Sequence, residues 1–269
     1  MPNLNLLPDI DKVAQAFSQA ASTYDDVAGL QRIAADQLLK KGPLVHQGKV
    51  LDIGSGTGYV SAQLAALEAV TSVTGLDIAQ GMIDYAQLCH SDKKLNWQLG
   101  DAQNLPHALA DNVTRFDLVV SSLSIQWYKD LDAVFAGVAQ CLADGGVFHC
   151  ATLGPQTLHR LKWAWAQVDN YQHVNDFVPL ETLRNLLEKQ FADVTIECEP
   201  VELKYLTVHQ LTRDLKQLGA SNQNAQASQG LMGIGRFRKM VEAYEHLRDD
   251  EAQLPVTYEI YYIKAKVNQ

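Results

Sequence analysis

The feature that most constrains this chain is the run Val50-Leu51-Asp52-Ile53-Gly54-Ser55-Gly56-Thr57-Gly58-Tyr59. A short apolar segment with a carboxylate near its end gives way to glycines at every second position, and then the apolar pattern lengthens. That order reads as a strand, a tight turn and the start of a helix. Glycine permits positive φ and lets a ligand approach where a Cβ would collide. The next apolar segment, Val73-Thr74-Gly75-Leu76-Asp77, ends on an acid 19 positions after Gly58. An acid at the tip of the second strand suits a bidentate grip on a ribose diol, as in nucleotide-binding α/β sheets.

Dinucleotides and S-adenosylmethionine both satisfy this logic, and the glycine spacing separates them. A dinucleotide site takes Gly-x-Gly-x-x-Gly, with a helix N-terminus aimed at the pyrophosphate. This chain has Gly-x-Gly-x-Gly with Asp52 two residues before Gly54. An acid there is poorly placed for a pyrophosphate and tolerable beside the cationic end of S-adenosylmethionine. The stretch resembles motif I of the class I S-adenosylmethionine-dependent methyltransferases.

A length of 269 residues with 47% hydrophobic content suits one α/β domain with an appended lid. The net charge of −9 argues against a general nucleic-acid binder, whose phosphate affinity rests on Lys and Arg. Cys89, Cys141, Cys150 and Cys198 form no Cys-x-x-Cys pair and stand at no zinc spacing to a histidine, which reads as small buried thiols in a reducing compartment. No signal-peptide pattern opens the chain, and no apolar run approaches ~18 residues. The expectation is a soluble, cytoplasmic, monomeric protein without membrane contact.

Residues 9–21 carry apolar side chains at helical spacing, and Ser22–Asp26 break the pattern around Tyr24. A second helix follows from about 27 until Gly42-Pro43, with Gln31 and Arg32 on different faces. Both helices precede the first strand, so they lie over the sheet or its ligand crevice. After Asp77 a helix opens whose Ile78 and Met82 either sandwich an adenine or join the core. Strand three, Leu95–Leu99, leads to Asp101, placed to accept from an exocyclic adenine amine, with Ala102 and Gln103 beside it. Strand four, Phe116–Ser121, is a continuous apolar run, as a parallel strand buried on both faces requires. It leads to a polar and aromatic loop carrying Gln126 and Trp127. A helix at 130–142, Asp144-Gly145-Gly146 and a fifth strand at 147–152 follow. Gly54, Asp77, Asp101 and Ser121 thus converge at the strands' C-terminal ends, where open α/β sheets bind ligands.

Beyond this core the sequence reads as helices near 156–168 and 180–190, a strand at about 192–203, helices near 208–218 and 231–248, and an alternating last strand at 256–267. The fold class is therefore α/β: a seven-stranded, doubly wound, Rossmann-like sheet with N-terminal helices and a helical lid between the last two strands. Residues 1–44 form a helical cap, 45–155 the cofactor-binding core, and 156–269 the sheet completion with a lid at about 207–248.

Flanking segments tighten the resemblance. Phe17-Ser18-Gln19-Ala20-Ala21-Ser22-Thr23-Tyr24-Asp25, Leu30-Gln31-Arg32, Leu123-Ser124-Ile125-Gln126-Trp127, Leu218-Gly219-Ala220-Ser221-Asn222, Gly230-Leu231 with Arg236, and Leu254-Pro255-Val256-Thr257-Tyr258-Glu259 are similar to the malonyl-acyl carrier protein O-methyltransferases of biotin synthesis. Val256 stands where that pattern is more polar or variable. The resemblance implies methyl transfer from S-adenosylmethionine to the free carboxylate of a malonyl thioester, with acyl carrier protein as partner. The ester would hide a charge that fatty-acid elongation enzymes reject.

Cofactor contacts are expected from Asp52, Gly54, Ser55, Gly56, Gly58, Asp77, Ile78, Met82, Asp101, Ala102, Gln103 and Ser121. Substrate contacts are expected from Tyr24, Gln31, Arg32, Arg236, Arg238 and Lys239, with Tyr24, Gln126 and Trp127 positioning the reactants. No general base or metal is expected, because a carboxylate of pKa near ~4 is already ionised at pH 7. Over Thr207–Arg248 six basic residues face three acids, a balance of +3 against −12 for the rest of the chain. Within that segment Arg236 is expected to turn inward to the substrate carboxylate, and Arg238 and Lys239 to meet carrier-protein acids. The alternatives are a methyltransferase for another small carboxylate or for a quinone precursor, or a non-catalytic S-adenosylmethionine-binding regulatory protein.

Overall fold

The computed structural model describes residues 9–42, 48–110, 113–218 and 233–267. Its strands are β1 (Gly48–Ile53), β2 (Val70–Asp77), β3 (Leu95–Leu99), β4 (Phe116–Ser122), β5 (Leu142–Leu153), β6 (Asp193–Tyr205) and β7 (Leu254–Lys266). The described helices before β4 are α1 (Ile10–Ala20), α2 (Tyr24–Val27), α3 (Gly29–Lys41), α4 (Tyr59–Ala65) and α5 (Gln80–Cys89). After it come α6 (Leu131–Cys141), α7 (His159–Ala166), α8 (Leu180–Leu187), α9 (Val208–Gln217) and α10 (Ile234–Glu245).

The strands form one seven-stranded sheet in the order β3-β2-β1-β4-β5-β7-β6. β1 to β5 pair in parallel, and β7 runs antiparallel to both its neighbours, β5 and β6. This is the expected class I arrangement. Among the described residues, no helix is long and apolar enough to cross a membrane.

Strand periodicity divides the core. Val50 on β1 and Val256, Tyr258, Ile260 and Tyr262 on β7 face one layer of helices. Leu51, Ile53, Tyr261, Ile263 and Ala265 face the other. The first layer takes Leu30, Ala34 and Leu38 of α3, Leu64 of α4, Leu161 and Trp165 of α7, Val208 and Leu211 of α9, and Met240 and Tyr244 of α10. The second takes Phe135 and Val138 of α6 and Leu183 and Leu187 of α8. Each of these large side chains contributes about 1.5–3 kcal/mol by leaving water.

Several expectations shift in detail. Tyr24 does not sit in a break; it opens the four-residue helix α2. β5 begins at Leu142, so Asp144-Gly145-Gly146 lies inside a strand, near the point where the register against β4 slips. Gly145 supplies the positive φ there. The helices between the last two strands also cover the sheet: Val208, Leu211, Met240 and Tyr244 are fully buried, and the Tyr244 hydroxyl donates to the Pro255 carbonyl (3.1 Å). The N-terminal segment likewise divides, with α3 in the core layer and α1 packed on α5. Gly219–Asn222 and Gly230-Leu231 lie outside the described residues.

The α1–α5 contact has no room for a side chain at Gly81, where a Cβ would collide with the Ser18 carbonyl. Gly81→Ala should therefore cost about 1–3 kcal/mol in urea unfolding. Gly29→Ala, at a position with nothing within 4 Å of the new Cβ, should instead stabilise α3 by about 0.5–1 kcal/mol.

Candidate functional site

The turn after β1 is held in a conformation that its sequence permits and few others would. Gly54, Gly56 and Gly58 take φ of 67°, 54° and 89°. The Gly54 and Ser55 N–H groups donate to the Leu76 carbonyl (2.7 and 3.1 Å). A Cβ at Gly58 would meet Trp97, whereas one at Gly56 would point into open space. Gly56 is thus required by its φ alone, and the space beside it is free for a ligand.

Asp77 fastens this turn to the tip of β2. One carboxylate oxygen accepts from the Gly56 N–H (2.8 Å) and the other from the Ala79 N–H (2.8 Å). Burial pushes its carboxyl above the usual range, against the opposing pull of these backbone donors. Asp52 lies deeper, at 1% exposure, and accepts from the Ser61 hydroxyl (2.6 Å). Burial, with a smaller contribution from the Asp77 charge, pushes Asp52 up to about 7. Neither acid has a cationic partner among the described residues. The buried Ser55 hydroxyl has no hydrogen-bond partner among them either. Such an arrangement suits a polar ligand that carries positive charge.

Three cavities meet here. One is lined by Gly54, Gly56, Asp77, Ile78, Met82, Trp127 and Tyr128. A second continues it past Asp52, Ser55, Thr57, Gln31 and Arg32. The third is larger and mainly apolar, and runs between α3, the loop after β4, α7 and α9. Tyr24 lines all three, while Phe17, Leu123 and Trp127 line both the first and the third. The Phe17 and Trp127 rings meet edge to face at 5.5 Å. Burial, then the nearby Asp77 and Asp25 carboxylates, push the Tyr24 phenol well above its ordinary range, so it stays a hydrogen-bond donor. The helices over the crevice are tied to the glycine turn: the Thr57 hydroxyl donates to Asp25 (2.9 Å) and the Tyr59 hydroxyl to Asp36 (2.9 Å).

The structure brings together Tyr24, Gln31, Asp52, Gly54, Ser55, Gly56, Asp77, Ile78, Met82, Gln126 and Trp127 on these walls. Gln126 is held by donating to the Leu123 carbonyl (2.7 Å) and accepting from Thr152 (3.2 Å). Other expected residues stand elsewhere. Ser121 is fully buried and spends its hydroxyl on the Ile53 carbonyl (2.9 Å), so Ser122 and Ser124 line the crevice in its place. Gly58 faces Trp97 and His90 and is not among the residues lining these cavities. Asp101 accepts from both the backbone and the side chain of Gln103, whose own oxygen accepts from the Lys129 and Asp130 N–H groups; Ala102 is core. These three brace the loop after β3 and do not line the cavities.

Arg32 lies on the glycine-turn side, 3.7 Å from Asp25 and over the Tyr59 ring, outside the apolar cavity. Arg236 does not turn inward to that cavity: it is 3.5 Å from Asp169 and over the Tyr171 ring. Arg238 is exposed and pairs with Glu242 one turn along α10 (3.1 Å), and Lys239 is exposed beside it. The reading from sequence also missed lining residues of the apolar cavity, among them His173, Asn175, Phe177 and Tyr258. The first three come from the irregular connection between α7 and α8, where a run of polar and aromatic residues without periodicity was the available signal.

Because the folded protein holds the Asp52 proton up to about pH 7 and the unfolded chain releases it near 3.8, the fold binds more protons across that window. Stability therefore falls as pH rises through it. Asp52→Asn should flatten that decline by up to about 1.4 kcal/mol per pH unit, measured by urea unfolding between pH 4.5 and 7.

Comparison with known proteins agrees with this geometry. Residues 51–150 match the family described as Methyltransferase domain. The chain is 43% identical to the biotin biosynthesis bifunctional protein BioHC of Cellvibrio japonicus, over 95% of this chain and 50% of that one. It is 37% identical to a malonyl-[acyl-carrier protein] O-methyltransferase of Gallionella capsiferriformans, over 94% of this chain and 90% of the relative. It thus spans about half the length of the bifunctional relatives and most of the others. Among solved structures, the YcgJ protein of Bacillus subtilis superposes with a TM-score of 0.63 at 15% identity, covering 88% of this chain and 99% of that one, which is a likeness of fold. The chain belongs to the malonyl-[acyl-carrier protein] O-methyltransferase family.

Proposed function

We propose that this chain transfers a methyl group from S-adenosylmethionine to the free carboxylate of a malonyl thioester on acyl carrier protein, as a cytoplasmic monomer serving biotin synthesis. The observation that carries the reading is the position of Tyr24, at the meeting of an acid-lined cavity and an apolar one. The relatives named for this activity support the same substrate.

The donor set fits S-adenosylmethionine. Asp77, at the tip of β2, would take the ribose diol, and Ile78 and Met82 would flank the adenine. Asp52 and the orphaned Ser55 hydroxyl lie on the side that would receive the charged end. When bound, the cofactor supplies a methyl group already activated on a sulfonium.

The protein's own work is positioning. Tyr24, protonated at any physiological pH, would donate to a carboxylate oxygen held at the boundary between the cavities. Phe17, Leu123 and Trp127 give that boundary apolar walls. A carboxylate stripped of its hydration and held ~3–3.5 Å from its target is already a competent nucleophile. No base has to act, since the substrate enters as an anion. Hydrogen bonds that orient without over-stabilising the ground state serve the rate best.

Incubation with labelled S-adenosylmethionine and a panel of malonyl-acyl carrier protein, malonyl-CoA and free dicarboxylic acids should label the malonyl thioesters. Methylation of free acids alone would overturn the assignment. Tyr24→Phe should lower turnover roughly 10- to 100-fold and change S-adenosylmethionine affinity less, as judged by calorimetry.

Arg238 and Lys239, exposed on α10, are proposed to meet acidic groups of the carrier protein and to set the association rate. Reversing both to Glu should depress kcat/KM for the carrier-protein substrate, most at low salt, and leave malonyl-CoA largely unaffected. Equal losses on the two substrates would assign these residues to the fold.

A further inference from the structure

The apolar cavity offers an anion no Arg or Lys among its described lining residues, and His173 is the one basic side chain there. Its ring stacks on Trp165, with centroids 3.6 Å apart and planes 10° from parallel. Its Nε2 lies 2.7 Å from Asp169 Oδ1. The same Asp169 oxygen accepts from the Tyr171 N–H (3.0 Å), and Oδ2 is 3.5 Å from Arg236. Burial pushes the Asp169 carboxyl up, but the hydrogen bonds from His173 and Tyr171 and the charges of His173 and Arg236 outweigh it and hold it below the usual range. Asp169 is therefore ionised. An ionised acid at Nε2 keeps a proton on that nitrogen and leaves Nδ1 for a ligand. Nδ1 has no hydrogen bond of its own among the described residues.

Two further groups on the same walls have no partner among the described residues. Asn175 is 8% exposed, yet its Oδ1 makes no hydrogen bond to any of them, and neither does the buried Gln31 Oε1. Unpaired buried polar atoms cost about 1–3 kcal/mol each and call for a reason. A ligand with a polar end supplies one, since an amide turned over presents N–H donors at the same place.

We propose that His173, oriented by Asp169 and Trp165, is the substrate-binding residue that receives the malonyl carboxylate as an imidazolium, with Asn175 as a second donor. This rests on the methyl-transfer reading above. The entering carboxylate would pair with the ring through Nδ1–H. In the transfer an O–CH3 bond forms, the S–CH3 bond breaks and its electron pair goes to sulfur. The product ester is neutral, so the ion pair disappears, which favours release. Among the described residues, the charged and titratable groups that line the two cavities His173 borders are Asp169, the Lys162–Asp176 pair (3.8 Å), Tyr24, Tyr171 and Tyr258, with Arg236 from α10 paired to Asp169.

The test compares binding of malonyl-CoA and acetyl-CoA to protein saturated with S-adenosylhomocysteine, by calorimetry. Wild type should prefer malonyl-CoA. His173→Asn should lose the preference by 10-fold or more and leave acetyl-CoA affinity unchanged. S-adenosylhomocysteine binding checks that the variant is folded. Asp169→Asn keeps the ring and its stack, and removes the acid that orients Nε2. It should therefore lower the malonyl-CoA preference several-fold with acetyl-CoA affinity unchanged, and it decides the matter should His173→Asn not fold. Retention of the malonyl preference in both variants would overturn the His173 assignment alone. A wild type that methylates no malonyl thioester would instead overturn the reading on which it rests.

Discussion

The structure is arranged around two buried carboxylates that no cation of the described protein neutralises. Asp52 and Asp77 are 1% and 7% exposed, and each is held by donors rather than by a counter-charge. Ionising carboxylates buried in this way is costly unless something pairs with them, which is why Asp52 keeps its proton up to about pH 7. The surrounding design is consistent with that pairing being left to a ligand. The glycine turn gives up side chains to make room, Asp77 locks the turn open, and α2 and α3 are bonded across the top through Asp25 and Asp36. A ligand bringing further negative charge would meet two buried acids there.

Much of the fold was legible because its determinants are local. The apolar run of β4, the alternation along β7 and the glycine spacing after β1 each fix an element through neighbours within a few positions. The start of β5 was not legible, because Asp144-Gly145-Gly146 carries turn chemistry and is overridden by pairing with β4 and β7. The double role of α3, α9 and α10 was hidden for a related reason. A helix that covers a sheet and one that roofs a cavity present the same apolar stripe, and only the packed partner distinguishes them.

The two halves of the candidate site differ in the same way. The cofactor side comes from strand tips and turns whose sequence spells out their geometry. The apolar side assembles Phe17, Leu153, His173, Leu215 and Tyr258 from segments scattered over the chain, so no window of sequence contains it. Charge misled as well. Arg236 drew attention as a cation on a basic helix, yet the sequence could not reveal that Asp169, 67 positions earlier, lies within ion-pair distance. Ser121 shows the converse limit: the strand tip was located correctly, but the pleat turned its hydroxyl inward and offered its neighbour Ser122 to the crevice.

The position of β7 has a consequence for how such a chain comes to be made. It is the last described element to leave the ribosome, and it pairs on both sides, with β5 and with β6. Until it arrives, β5 presents an unpaired edge and β6 has no partner in the sheet at all. Leu254, Val256 and Tyr258 also close one side of the core that α3, α7 and α9 share. The parallel half can therefore assemble during synthesis, but the apolar cavity lacks the part of its wall that Tyr258 supplies until β7 is in place. Nascent or truncated chains would carry the nucleotide-binding turn together with an open, adhesive sheet edge, and that interval is where the protein is most exposed to misassociation.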